Sequence, residues 1–256
     1  MVLNATPSGG GAPLFFLHGF LGSGENWKGI ARKFRDEYTT LCPDARNHGG
    51  SPHSDEMNYE LMAGDLLETA DHYHLDEMIL LGHSMGGKIV METALSHPER
   101  VKALIVVDIA PAGASVKFSR EMAALEHLDV SHLKTRRDAM DGLEQAIPDR
   151  MVRGFFLKNL VRIGDESFAW RINMPGIIKT YQNVWEGIEP GRRYDGPVLF
   201  IRGSESNYIE EEKDLPAIRR LFPNAEIKTI EGAGHWVHSD KPAELISLLN
   251  EFLETL

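Results

Sequence analysis

Apolar and polar positions along this chain fall into two regimes. Short continuous apolar runs stand at Leu14-Phe15-Phe16-Leu17, Ile79-Leu80-Leu81, Ala103 to Val107 and Pro197 to Ile201. Their length and β-branched content predict strands buried on both faces. Thr39 to Cys42 and Ile227 to Ile230 predict two more. Helical spacing separates them. Tyr59 to His74 places Leu61, Met62, Leu66 and Ala70 on one stripe, and Met85 to His97 is stopped by Pro98. A helix is also expected to start near Asn26, and another to run from Ala243 to Leu253. Strands alternating with helices predict an α/β fold with right-handed crossovers. Its mostly parallel central sheet is flanked by helices, with functional groups at the carboxyl ends of the strands.

One region breaks the rhythm. Pro111 to Pro190 reads as helices alone, over Ser119 to His127, Thr135 to Ala146, Asp149 to Asn159 and Pro175 to Glu186. The expected organisation is therefore a core of residues 1–110 and 191–256, with an all-helical insertion at 111–190 after the strand ending at Asp108. Such an insertion is a candidate lid over a site.

Composition narrows the picture. At 256 residues the chain can bury the core of one large domain. The net charge of −11 argues against nucleic acid as a partner. That charge is uneven: residues 111–195 carry 13 Lys and Arg against 12 Asp and Glu, leaving the remainder strongly acidic. No run is apolar for long enough to span a bilayer, so no membrane partner is expected. Met1 to Pro13 lacks the blocks of a secretory leader, and a single cysteine, Cys42, suits a reducing compartment. A cytoplasmic location is the expectation. Cys42 itself, near a strand end, reads as a packing residue.

The chemistry centres on Gly82-His83-Ser84-Met85-Gly86, a G-x-S-x-G pattern with a strand before it and a helix after. A serine on so sharp a turn has a strained backbone that only small neighbours permit. Its hydroxyl stands clear of the sheet at the positive end of the following helix. A serine hydroxyl is a poor nucleophile unless a base, itself oriented by an acid, takes its proton. His235 follows the last strand in a loop loosened by Gly232 and Gly234 and is the expected base. His238, three residues on, is the weaker candidate. Asp108 ends the strand after the nucleophile helix and is the favoured acid. Glu205, in the loop after the next strand, stays open as the alternative, and Ser206 would add a hydroxyl beside the acid. The backbone N–H groups of Met85 and Phe20 are the expected donors to an oxyanion. His18 is expected to pin the loop that carries Phe20.

Other chemistries find less support. His72-Tyr73-His74 faces opposite sides of a helix, and no carboxylate–histidine cluster completes a metal site. No G-x-x-x-x-G-K pattern implies a phosphate loop. Neither metal nor cofactor is expected.

Several segments together resemble a known family. They are His18-Gly19-Phe20-Leu21-Gly22-Ser23 with Asn26-Trp27, Asp44-Ala45-Arg46-Asn47-His48-Gly49, Gly82 to Lys88, Val107-Asp108-Ile109-Ala110-Pro111, and Gly232 to His238. The chain is similar to the α/β-hydrolases, and more narrowly resembles the YbfF-type bacterial carboxylesterases and their mitochondrial abhydrolase-domain relatives. The resemblance implies a Ser84–Asp108–His235 site with Ser206 as a fourth member, and hydrolysis of simple acyl esters as small-molecule substrates. Acyl-CoA thioesters are the alternative that the resemblance implies. Arg136, Arg137, Arg153 and Lys158 in the insertion are a hint toward a CoA phosphate. Gly203-Ser204-Glu205-Ser206 departs from the family's Gly-Gly-Asn-Ser run, which is why Glu205 stays open.

Overall fold

The structure is a computed structural model describing residues 1–115, 119–164, 167–189 and 191–256. Its main sheet has seven strands: β1 (Ser8–Gly9), β2 (Ala12–Leu17), β3 (Tyr38–Leu41), β4 (Met78–His83), β5 (Val101–Val107), β8 (Val198–Gly203) and β9 (Ala225–Ile230). Their order is β1-β3-β2-β4-β5-β8-β9, and every pairing is parallel except β1 with β3. This is the α/β-hydrolase fold. Every residue of β4 is buried, as the unbroken apolar run requires of a central strand.

Alternate side chains of each strand serve two cores. Phe15, Leu17, Leu80, Leu104 and Val106 face one side, where they meet α2 (Tyr59–His72) and α3 (Met85–Ser96). Leu14, Phe16, Ile79, Leu81, Ile105 and Val107 face the other, against Trp27, α1 (Lys28–Ala31) and α10 (Pro242–Leu253). The period of two in the strands and the stripes on the helices thus set the layering. The helix expected near Asn26 is short: a turn of 3₁₀ helix at Gly24–Asn26, then the four residues of α1. α2 stops at His72 rather than His74, because His74 takes φ 57°. Also present are α8 (Glu211–Leu221) and α9 (Val237–Asp240), which the periodicity did not single out. Among the described residues no helix is long and apolar enough to cross a membrane.

The segment between β5 and β8 holds α4 (Ser119–His127), α5 (Arg136–Gly142), α6 (Arg150–Phe156) and α7 (Met174–Thr180), with a 3₁₀ turn at Tyr181–Trp185. It is not all-helical. β6 (Leu160–Ile163) pairs antiparallel with β7 (Ser167–Trp170). Each of these strands has only four residues, too few to display a period, and tertiary packing decides their state: Leu160 and Phe168 are buried in the same core as α7. Position 190, the expected far boundary of the insertion, lies outside the described residues.

Cys42 follows β3, partly buried against the second core, and burial pushes its thiol up to about 12. It is a packing residue.

A buried ion pair secures the loop between β3 and α2. Arg46 reaches Asp65 through Nε (2.5 Å) and a terminal nitrogen (2.7 Å), and both side chains are almost fully buried. Arg46 also donates to the carbonyls of Glu56 and Leu61. Removing one member of such a pair leaves the other charge buried and unmatched. The amino group of Met1 (2.8 Å from Asp65) would share that charge, so Arg46→Met should cost about 3 kcal/mol, the low end for such losses. Urea unfolding of the two proteins measures it.

Candidate active site

Ser84 follows β4 and caps α3 with φ 53° and ψ −120°. The flanking glycines are required by contact. A Cβ on Gly82 would lie 2.1 Å from the Gly86 carbonyl oxygen, and one on Gly86 would lie 2.5 Å from that of Leu17. Asp108, one strand over, also has φ 53° and is fully buried. The last loop, after β9, brings His235 back across the sheet.

The structure brings four of the expected residues into one hydrogen-bonded line. His235 Nε2 lies 3.1 Å from Ser84 Oγ, and its Nδ1 lies 2.8 Å from Asp108 Oδ2. A carboxylate only accepts, so Nδ1 carries the proton and Nε2 is free to accept from the serine hydroxyl. Asp108 Oδ1 accepts from Gly203 N–H (3.0 Å), and Oδ2 also accepts from the Ser206 hydroxyl. Glu205 is exposed at the surface, and both imidazole nitrogens of His235 are already engaged. Phe20 and Met85 line the same cavity as Ser84. Met85 is the first residue of α3, where an amide has no partner inside the helix, and the Phe20 amide has none among the described residues.

His238 lines the same cavity, but no hydrogen bond joins it to Ser84 among the described residues. It lies half-buried on α9, with its ring 4.8 Å from Trp27 and 4.9 Å from His83. His18 is buried and holds its loop: Nε2 accepts from Ala45 N–H, and Nδ1 donates to the Gly19 carbonyl.

Three residues of the site were not singled out from sequence. Tyr208 stacks on the His235 ring at 3.7 Å between centroids. His83 donates from Nε2 to the His235 carbonyl (2.7 Å), tying the loop of His235 to the strand that leads to Ser84. His48 accepts from Leu21 N–H beside Phe20 and donates to the Arg46 carbonyl. The Asp44-Ala45-Arg46-Asn47-His48-Gly49 segment was a signal for His48. Nothing local marked Tyr208, whose role exists only through contact.

The cavity above Ser84 holds about 280 Å³ and is lined mainly by apolar side chains, among them Ile109, Phe155, Phe156, Trp185 and Trp236. Met174 and Ile177, by contrast, are core residues, and Met151 is 84% exposed. Of the basic residues weighed for a phosphate, Arg136 and Arg153 donate to backbone carbonyls within the insertion, and Arg137 faces Asp141 at 3.7 Å. Lys158 is exposed and lines an adjoining cavity with Arg171. Among the described residues no cluster of three His, Cys, Asp or Glu side chains could hold a metal ion.

Comparison with known proteins agrees with this architecture. Residues 12–242 match the family described as the alpha/beta hydrolase fold. The chain is 41% identical over 254 residues to the sn-1-specific diacylglycerol lipase ABHD11 of Danio rerio, covering 96% of this chain and 80% of that one. It is 36% identical over 247 residues to Esterase YbfF of Escherichia coli (strain K12), covering 94% of this chain and 93% of that one. A solved structure described as a marine microorganism esterase superposes with a TM-score of 0.93 at 40% identity, covering 98% of this chain and 99% of the other.

The imidazoles behind the site are held neutral. Burial, reinforced by neighbouring histidines, pushes His48 down to about 3 and His238 to about 4. In the unfolded chain both would take up protons near pH 6.5. Between that value and the folded ones the unfolded state binds more protons, so these groups stabilise the fold above pH 6.5 and that contribution is lost on acidification. Imidazole NMR should show neither ring titrating between pH 5 and 8, and urea midpoints should fall from pH 6.5 toward pH 4.

Proposed function

The chain belongs to the alpha/beta hydrolase family, and we propose that it is a serine carboxylesterase acting on simple acyl esters through an acyl-enzyme. The single observation that carries the reading is the hydrogen-bonded line Ser84–His235–Asp108 at the floor of an apolar cavity. The names of its relatives, an esterase and a lipase, point the same way.

In this reading Ser84 Oγ attacks the ester carbonyl while His235 Nε2 takes its proton. The amides of Met85 and Phe20 receive the charge that forms on the carbonyl oxygen, each worth ~3 kcal/mol to the transition state. His235 then protonates the leaving alcohol, the C–O bond breaks, and the acyl group stays on Ser84. Water enters and gives a proton to His235 as its oxygen bonds to the acyl carbon; His235 then returns that proton to Ser84 Oγ as the Ser84–acyl bond breaks and the carboxylic acid leaves. Asp108 holds the imidazole in the tautomer this requires and stabilises the imidazolium, and Ser206 and Gly203 N–H hold Asp108. Tyr208 packs flat on the ring that must stay in plane. Residues 111–190 act as a lid, supplying Phe155, Phe156 and Trp185 to a cavity that excludes bulk water from the reacting atoms.

Thioester hydrolysis by the same atoms is the second reading. One observation favours it: a cavity of about 310 Å³, flanked by Lys158 and Arg171, shares Gly22, Asn26 and Phe155 with the first. An anionic leaving group would meet two cations there, with the Glu25 carboxylate also in the wall but paired with Lys28.

Steady-state assays on aryl esters test the scheme. Ser84→Ala should lose at least ~10⁴-fold in kcat, and Asp108→Asn about 10⁴-fold. Ser206→Ala should lose roughly tenfold, the value of one hydrogen bond to a charged group. Glu205→Gln should stay within about twofold; a severe loss there with a mild one at Asp108→Asn would reverse the assignment of the acid. For the second reading, kcat/KM on acyl-CoA and on aryl esters of equal acyl length decides. Lys158→Ala with Arg171→Ala should lower only the former, and equal effects on both substrates would remove it.

A further inference from the structure

Lys88 occupies an unusual position. It lies on α3 one turn beyond Ser84, its side chain is only 2% exposed, and it lines the cavity. A lysine so buried would ordinarily face a carboxylate, yet Nζ donates to two backbone carbonyls, those of Ala112 (3.0 Å) and Glu186. Its charge also lies 5.7 Å from the centre of the Tyr59 ring. Burial lowers its pKa to about 8, opposed by the carboxylates of Glu186 and Asp214, so the ammonium remains protonated at pH 7.

The two carbonyls belong to opposite ends of the same segment. Ala112 lies where the chain leaves the core and Glu186 where it returns, 74 residues later along the sequence. Here the outgoing and returning backbones pair. Ile188 N–H donates to Pro111 O (2.8 Å) and Ala114 N–H to Trp185 O (2.9 Å). Gly113 and Gly187 lie so close that a Cβ on Gly187 would stand 2.7 Å from Gly113 N. Tyr59 adds a bond from its hydroxyl to Val184 O. Lys88 therefore grips both sides of this neck from the helix that carries the nucleophile. Ala114, Val184 and Trp185, immediately beyond the neck, form part of the cavity wall.

We propose that Lys88 is a specificity-determining positioning residue: by holding both sides of the neck it fixes the wall of Ala114, Val184 and Trp185, and so sets which acyl chains the cavity accepts. The proposal rests on the esterase reading for its substrate but not for its geometry. A buried charge in direct contact with no carboxylate is a costly way to satisfy two carbonyls, and packed apolar side chains often do as well for stability. What the ammonium adds is direction. Two donors of one nitrogen aim at two chains and lock their separation, and the nitrogen is indexed to Ser84 through one turn of helix.

The test is a chain-length series of p-nitrophenyl esters, from acetate to dodecanoate, on wild type, Lys88→Met and Gly187→Ala. In wild type, acyl chains beyond the preferred length should lose about tenfold in kcat/KM per step that the wall rejects. Lys88→Met should flatten that profile to within about threefold, through KM rather than kcat. Gly187→Ala, which forces the neck apart without touching Lys88, should flatten it likewise, and it remains informative if Lys88→Met does not fold. A folded variant of either kind that keeps the wild-type profile overturns the proposal. If wild type turns over no ester at all, the esterase reading fails separately. Labelling rates of Ser84 with alkyl fluorophosphonates of increasing length then report on the same wall: flattening in the variants upholds the proposal, and an unchanged length dependence overturns it.

Discussion

Ser84 and Asp108 sit at the ends of adjacent parallel strands, and both have a left-handed φ of 53° that non-glycine residues avoid. Each such conformation costs on the order of 1–3 kcal/mol and persists only where its surroundings over-determine it. Here the over-determination is a stepwise set of hydrogen bonds across three strands. Ser84 N–H donates to Val107 O on β5, and Asp108 N–H donates to Ile201 O on β8. Each strained residue is thus tied to the last turn of the next strand, so neither can relax without breaking the edge of the sheet. The same bonds carry both side chains clear of the backbone layer, toward the imidazole that joins them. The packed central strands, with Leu80, Leu104 and Val106 fully buried, make that edge rigid enough to hold the strain.

A second shell of neutral imidazoles does the equivalent work for the loops. His18, His48 and His83 are all buried, and in each the ordinary pKa is lowered chiefly by burial. A neutral imidazole is both donor and acceptor, so each ring can bridge two backbone segments that are distant in sequence. His18 joins the loop after β2 to Ala45, His48 joins Leu21 to Arg46, and His83 reaches the loop of His235. Protonating His18 or His48 would turn an acceptor into a donor facing a donor. The Arg46–Asp65 pair underneath fixes the loop from which His48 projects.

The segment between β5 and β8 is attached differently from the rest. Its contacts with the core include single side chains acting on backbone: Tyr59 on Val184, Asn183 on Met57, Asn159 on Leu21, and Lys88 on both sides of its neck. Its aromatic residues Phe155, Phe156 and Trp185 close the space above Ser84. An apolar enclosure of this sort strengthens every polar contact at its floor, because water no longer competes for them.

Sequence by itself determined the layered fold and pointed to the residues that the fold brings together, because both are encoded locally. Unbroken apolar runs can only be central strands, and a serine between Gly82 and Gly86 at a strand–helix junction has one backbone solution. His235 and Asp108 were legible for the same reason: parallel strands must deliver their end residues to one edge. The different surroundings of Asp108 and Glu205 were not legible, since both loops reach that edge and only packing buries the one and sends the other to the surface. The β6–β7 hairpin, the stacking of Tyr208 on His235, and the engagement of Arg136 and Arg153 with carbonyls likewise depended on neighbours far away in the chain. Lys88 is the clearest case. In the sequence it is one polar residue in a helix; only the tertiary fold puts Ala112 and Glu186 within reach of one nitrogen, because the meeting of two distant chain segments leaves no local pattern to read.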